Sequence, residues 1–376
     1  MRRTVVFGLL HAGLAVARSL GRAGVPVTGI AWNPRDFGLK SRYLDRRVVV
    51  APRDDAAVLE ALGDERVVFF PERDEHVELA LRNWDALKRR ADLPLPDDAE
   101  AVRRLRRKDV LPLVAAEAEV PSPKTVLAAS DEAVREADLR PPLVVKAVEG
   151  QEYALAFGHK AVVAQDMDAA LVAVREARDR GFHMIVQEVV PDSHERIYSL
   201  LAYVGRSGEA LVTLVGRKVR QGPLRFGTSA VFEVEYEPRV LELGLRLLRT
   251  AGYTGIAHVE FAQDSRDGTF QLLEVNTRLP VWAALAANSH LDLPRIVYDD
   301  LTGKEVAPLP TFREQLTWIY LAKDVWVSLQ MARRRELRAG DFASRYVRGR
   351  KARAVFARDD PWPAVASLGY LRSRTP

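Results

Sequence analysis

The chain has no cysteine. Disulfides, thiolate zinc sites and cysteine nucleophiles are excluded at once. It has no G-x-S-x-G, no internal repeat and no aromatic platform beside its basic residues. The first absence speaks against a serine hydrolase, and the last against a nucleic-acid binder. Past the first twenty residues no window holds enough consecutive apolar residues to span a bilayer. The opening MRRTVVFGLLHAGLAVARSL mimics a secretory leader, with a basic start, an apolar run and a small-residue AVA. Gly8, His11 and Gly13 break that run, Arg18 sits on its helical part, and the strand-like VPVTGIAW follows at once. Strand, glycine turn, helix, strand is the better fit. It places the protein in the cytoplasm, with no membrane partner.

What is present is an ordinary globular composition. The 376 residues are 48% hydrophobic and 28% charged, which rules against wholesale disorder and leaves room for two or three domains. The formal charge is +5. A modest positive balance suits a protein that handles phosphates or acids.

Residues 1–100 alternate strand and helix, from TVVFG and GLAVARSLGRAG to RVVFF and DEHVELALRNWDALKRR. This order predicts a small parallel α/β domain. Gly8 and Gly13 raise a dinucleotide-loop reading. Their spacing is not G-x-G-x-x-G, and Trp32-Asn33 rather than an acid ends the second strand. In FPERDEH, Asp74 and Glu75 either face a ligand at a strand end or serve as helix N-terminal acids. Prolines 94, 96, 112, 121 and 123 set a domain boundary near 95–105.

From residue 141 strands dominate and the class changes to α+β with antiparallel sheets. PPLVVKAV reads as a strand with one lysine among apolar residues, and YALAFGHKAVVA as a hairpin. A long hairpin turns at GRSG, and another, GIAHVEFAQDSRDGTFQLLEVNTRL, turns at DSRDG. Residues 301–376 read as an arginine-rich helical extension without a catalytic pattern.

The DSRDG hairpin carries the chemistry. With its turn near Arg266 or Asp267, residues whose numbers sum to about 533 face one another. Glu260 and Glu274 then lie nearly opposite, on one face, with Asn276 and Arg278 along the same stripe. Directly opposed like charges are destabilising, so such a pair needs a cation. Magnesium takes oxygen ligands and bridges carboxylates to phosphates, while an arginine grips a phosphate or carboxylate in bidentate fashion. A solvated face balanced by nearby arginines is the other reading, and the hairpin alone does not separate the two. Lys146, alone in an apolar strand, either meets an anion or snorkels at an edge. Arg217, Lys218 and Arg220, beside Gly222 and Gly227, suit an anionic substrate or else form a charged hairpin edge.

Glu, about fourteen residues, then Glu-x-Asn-x-Arg, as it stands in HVEFAQDSRDGTFQLLEVNTR, resembles the metal-binding end of the ATP-grasp superfamily. GRKVRQGPLRFGTSAVFEV, FPERDEHVELALRNWDAL and SRY at 41–43 are similar to a subgroup described as predicted carboxylate–amine ligases. The resemblance covers roughly residues 1–300. It implies a pre-ATP-grasp α/β domain over 1–100 and an ATP-grasp domain over 101–300, with a small lid at about 121–190 and an antiparallel C-terminal sheet. The extension 301–376 follows. ATP, with two magnesium ions or manganese in their place, is the implied cofactor set. Glu260, Glu274 and Asn276 become metal ligands. Lys108 and Lys146 reach the nucleotide phosphates. Gln187, Glu188 and the backbone at Val190 meet adenine, and Glu195 meets the ribose. Arg278, Arg220 and Lys218 act on the transferring phosphoryl group. The implied reaction joins a small carboxylate to an amine through an acyl phosphate, with a non-amine acceptor or a catalytically silent nucleotide-binding protein as the alternatives, and a homodimer is the implied assembly. The chain departs from the family pattern in three places: Thr277 where proline is common, Ala262 where lysine is common, and a lid segment with only Gly150 and Gly158.

Overall fold

The computed structural model describes residues 1–376 except 149, 194, 225–226, 288–290, 338, 348 and 373–376. The first sheet is built from β1 (Thr4–Phe7), β2 (Val27–Ala31), β3 (Arg46–Val49), β4 (Val67–Pro71) and β5 (Ala91–Asp92). Its order is β3-β2-β1-β4-β5 with every pair parallel. The segments TVVF, VTGIA and VVFFP are buried along their whole length, as central parallel strands covered on both faces must be. The parallel α/β front expected from the sequence is present.

A four-stranded antiparallel sheet follows, with β6 (Thr125–Leu127), β7 (Leu143–Ala147), β8 (Ala161–Ala164) and β9 (Met184–Glu188) in the order β6-β9-β7-β8. The hairpin expected over YALAFGHKAVVA is instead a helix, Gly150–Phe157, followed by β8. Tyr153 and Phe157, one helical turn apart, stack at 4.4 Å between ring centroids. Tyr153 is buried in the lid core, and Gly158, at φ +76°, ends the helix in a conformation that favours glycine. Two aromatics packing on one core outweighed the strand-like alternation.

The largest sheet has seven strands: β10 (Ile197–Val204), β11 (Ala210–Gly222), β12 (Thr228–Val234), β13 (Gly255–Gln263), β14 (Phe270–Asn276), β15 (Leu316–Ile319) and β16 (Arg350–Arg353). They lie in the order β14-β13-β10-β11-β12-β15-β16. One face packs on helices His11–Arg22 and Leu293–Leu301, the other on helix Pro238–Thr250. β15 and β16 come from residues 301–376, so that segment completes the sheet as well as adding helices. Each has four residues, too few to stand out from the arginine-rich surroundings.

The same segment returns to the front of the chain. Asp360 is fully buried and accepts from Arg18 Nε (2.9 Å), Ser41 Oγ (2.7 Å) and the Arg42 backbone N–H (2.9 Å). Arg18 also donates to the carbonyls of Val355 (2.6 Å) and Asp360 (2.7 Å). The SRY stretch noted in the sequence thus holds the tail. Among the described residues no helix is long and apolar enough to cross a membrane.

Candidate active site

The β13–β14 hairpin has the register that residue numbers alone implied. Glu260 faces Glu274, Val259 faces Val275 and His258 faces Asn276, with a bulge between Glu260 and Phe261 that absorbs one residue. Glu260 is 8% exposed and Glu274 is exposed. A buried carboxylate needs a partner. Lys218 Nζ of β11, itself buried, lies 3.2 Å from Glu260 Oε1, and His258 Nε2 lies 3.5 Å from the same oxygen. Burial lowers the His258 imidazole to about 3, with Arg278 and Lys218 adding to the fall, so it stands neutral beside the carboxylate. The sequence reading passed over His258, although the numbering rule that paired the glutamates sets it opposite Asn276.

Along the stripe, Asn276 Nδ2 donates to Glu274 Oε1 at 2.9 Å and Arg278 donates to Asn276 Oδ1 at 3.3 Å. Arg278 reaches across to the front domain and donates to Asp74 Oδ2 at 2.6 Å. Asp74 also accepts from Arg106 at 3.1 Å. Desolvation acts to raise the Asp74 carboxyl, but Arg278 and then Arg106 outweigh it and hold it well below the usual carboxylate range. Of the two readings of Asp74 the structure bears out the helix start, since it opens helix Asp74–Arg82, and its carboxylate pairs with Arg278. Thr277 is buried, with its hydroxyl 3.5 Å from Arg106, so the departure from proline has a packing partner.

The lid supplies the facing wall. Lys146 Nζ on β7 donates to Gln187 Oε1 on β9 at 2.9 Å, and Gln187 Nε2 donates to Thr125 Oγ1 on β6 at 2.8 Å. Burial lowers the Lys146 ammonium to about 8, with Glu274 opposing and Lys108 adding to the fall. Lys108 donates to the carbonyls of Ala147 (2.9 Å) and Val148 (3.2 Å). A side chain at Gly150 would come within 2.8 Å of Lys108 Nζ, so the glycine keeps that ammonium's place open. Lys108, Lys146, Gln187, Leu272 and Leu273 line one cleft between lid and sheet. Glu188, on the other side of β9, accepts from the Arg140 backbone N–H at 2.9 Å. Val190 is buried, and Glu195 lies exposed in the turn after it.

Arg220 is not among the residues that line this cleft. Its guanidinium makes a bidentate pair with Asp324 at 2.5 and 2.9 Å, with both side chains buried, and Tyr346 donates to the same carboxylate at 2.6 Å. Lys323, next to Asp324 on helix Leu321–Arg333, donates to the Thr228 carbonyl at 2.9 Å. Burial lowers its ammonium to about 8, with Lys218 and then Lys160 adding to the fall. No sequence signal marked Lys323 or Asp324, since their partners lie about a hundred positions away on β11 and β12.

The front-domain loop has its own occupant. Glu72, at the end of β4, accepts from the backbone N–H groups of Leu10 (2.9 Å), Ala12 (3.0 Å) and Gly13 (3.1 Å). A helix N-terminus is an anion site, and here the protein's own carboxylate fills it. Gly8, at φ +96°, passes so close that a Cβ would stand 2.5 Å from Glu72 Oε2. This is a tight strand-to-helix turn, with a carboxylate where a dinucleotide would set its pyrophosphate.

Residues 222–291 match the family model for the carbamoyl-phosphate synthase L chain, ATP binding domain. A D-aspartate ligase from Enterococcus faecium (strain Aus0004) is 26% identical over 216 residues, covering 54% of this chain; the match spans 51% of that relative's length. Among solved structures, an ADP complex of N5-carboxyaminoimidazole ribonucleotide synthetase superposes with a TM-score of 0.69 at 15% identity, covering 89% of this chain and 85% of that one. The biotin carboxylase of Campylobacter jejuni, solved with an ATP analogue, gives 0.66 at 17% identity, covering 82% and 72%. Front α/β domain, small antiparallel sheet and large, mostly antiparallel sheet together give this chain the fold of these solved structures.

Proposed function

We propose that the protein is an ATP-dependent carboxylate–amine ligase that makes an amide or peptide bond through an acyl phosphate. The observation that carries this reading is the opposed pair Glu260–Glu274, with Asn276 beside it and Lys146, Lys218 and Arg278 around it. Two facing carboxylates repel, and oxygen donors so gathered fit magnesium, with manganese as the alternative. One or two ions held by Glu260, Glu274 and Asn276 would neutralise nucleotide phosphate oxygens.

The chain's own groups do the rest. Lys108 and Lys146 hold the nucleotide phosphates. Gln187, Glu188 and the Val190 backbone take adenine, and Glu195 takes the ribose. A substrate carboxylate oxygen attacks the γ-phosphorus while the bond to the ADP oxygen breaks. The amine then attacks the acyl carbon, phosphate leaves and the nitrogen gives up a proton. Such chemistry needs positioned positive charge more than a protein nucleophile. Arg278, oriented by Asp74, and Lys218, once Glu260 turns to a metal, face the transferring phosphoryl group. Arg220, locked by Asp324, keeps β11 in place behind Lys218. The D-aspartate ligase relative supports an amino acid as one substrate. A cytoplasmic homodimer acting on small molecules, with no nucleic-acid or membrane partner, is part of the same proposal.

The test is ADP release against pairs of carboxylates and amines, amino acids first, with mass spectrometry of the product and hydroxylamine to trap the acyl phosphate. One or more carboxylates should stimulate ADP release and give a trapped hydroxamate. Tight ATP binding with no carboxylate in a broad panel stimulating ADP release would sink the proposal.

A further inference from the structure

A cavity of about 320 Å³ lies between helix His11–Arg22, helix Ala284–Ala287 and β16. Its volume is within the range of small-ligand sites. It is set well apart from the metal hairpin. β13 and β16 are five strand positions apart in the sheet, on the order of 24 Å at about 4.8 Å per strand.

The walls have an unusual make-up. Six alanines line the cavity, including Ala15, Ala284 and Ala354, and they leave the space open. The other lining side chains are Arg18, Arg22, Lys351, Arg353, Arg358 and Phe356, with no acid among them. Two carboxylates beside the cavity pair with two of its own arginines. Asp360 is taken by Arg18, Ser41 and Arg42, and Asp359 by Arg22 and Tyr43. Among the described residues no carboxylate makes an ion pair with Arg353 or Arg358, and Arg353 lies 5.1 Å from the Phe356 ring. Arg353 and Arg358, added to the already paired Arg18 and Arg22, leave this wall with an excess of positive charge that an anion would balance. Arginine forks match phosphate oxygens in pairs.

We infer that this cavity is a second ligand site, distinct from the ATP cleft, which binds a small phosphate-bearing molecule through Arg353, Arg358 and the neighbouring cations. The inference does not depend on the ligase reading. Its test is calorimetric titration of the full chain with inorganic pyrophosphate and, separately, with AMP. Both titrations use the Lys146→Ala background, so that binding in the ATP cleft is suppressed. At least one probe should bind. Arg353→Glu with Arg358→Glu should weaken it roughly tenfold or more, the equivalent of losing one good charged contact. Ala357→Trp, which fills the cavity and keeps every charge, should do the same and stands in if the double variant misfolds. AMP binding better than pyrophosphate would identify a nucleotide, and the reverse a free phosphate; either supports the site. Binding of neither probe at millimolar concentration, or binding indifferent to both sets of variants, overturns it.

Discussion

The Arg220–Asp324 pair makes the sharpest quantitative test of how the tail serves the site. Replacing Asp324 with alanine leaves the Arg220 guanidinium buried without its counter-ion, since 3% of that side chain is exposed. Breaking one side of a buried pair costs about 3–5 kcal/mol. Tyr346 loses its acceptor at the same time, which adds about 1 kcal/mol. The expected loss is therefore about 4–6 kcal/mol, a large share of the roughly 5–15 kcal/mol that holds a domain together. Urea unfolding followed by tryptophan fluorescence would measure it, with Arg220→Met and Asp324→Leu combined as the comparison. Matched apolar replacement of both partners of a buried pair is often close to neutral, so the double variant should recover most of the loss. If Asp324→Ala costs less than about 1 kcal/mol, or the double variant recovers nothing, the pair does not hold β11 to the tail as argued.

Glu274→Ala should abolish magnesium-dependent ADP formation and leave the melting curve nearly unchanged, because the residue is exposed; normal turnover would remove it from the metal set. Gly8→Ala should cost about 2–5 kcal/mol, from the left-handed backbone and the crowding against Glu72 and His76. A chemical denaturation midpoint equal to the parent's would refute that geometry. His258 binds fewer protons folded than unfolded, since burial takes its pKa to about 3 from an unfolded value of about 6.5. Stability is then lost as pH falls below the unfolded value, by about 2 kcal/mol for this residue at pH 5. Comparing His258→Asn with the parent at pH 7 and pH 5 should show the variant losing about 2 kcal/mol less over that interval, and equal losses would contradict a buried neutral imidazole.

The hairpin could be read from sequence because its information is local. A turn at DSRDG and the two-residue period of a strand bring Glu260 and Glu274 nearly opposite, and a one-residue bulge between the pair and the turn completes the register. Lys146 stood out as the one lysine of an apolar strand and Lys108 through the resemblance, and both line the same cleft. What was not legible is non-local. Helix Gly150–Phe157 forms because Tyr153 and Phe157 find the lid core, which no alternation pattern reveals. Asp324 is invisible as a partner until β15 and the following helix have been laid beside β12. Asp74 looks like any first-turn acid until the sheet brings Arg278 against it.

The Arg18–Asp360 contact also sets a timetable. It joins positions 342 residues apart. At roughly 5–20 residues per second of synthesis, about 20–70 seconds pass between the two being made. During that time the first helix is present, but its buried arginine has neither the carboxylate nor the Val355 carbonyl that satisfy it. The front sheet can assemble early, yet this edge of it closes only after residue 360 has been added. Of the contacts that close this edge, the one at the earlier-made helix should therefore be among the last to form.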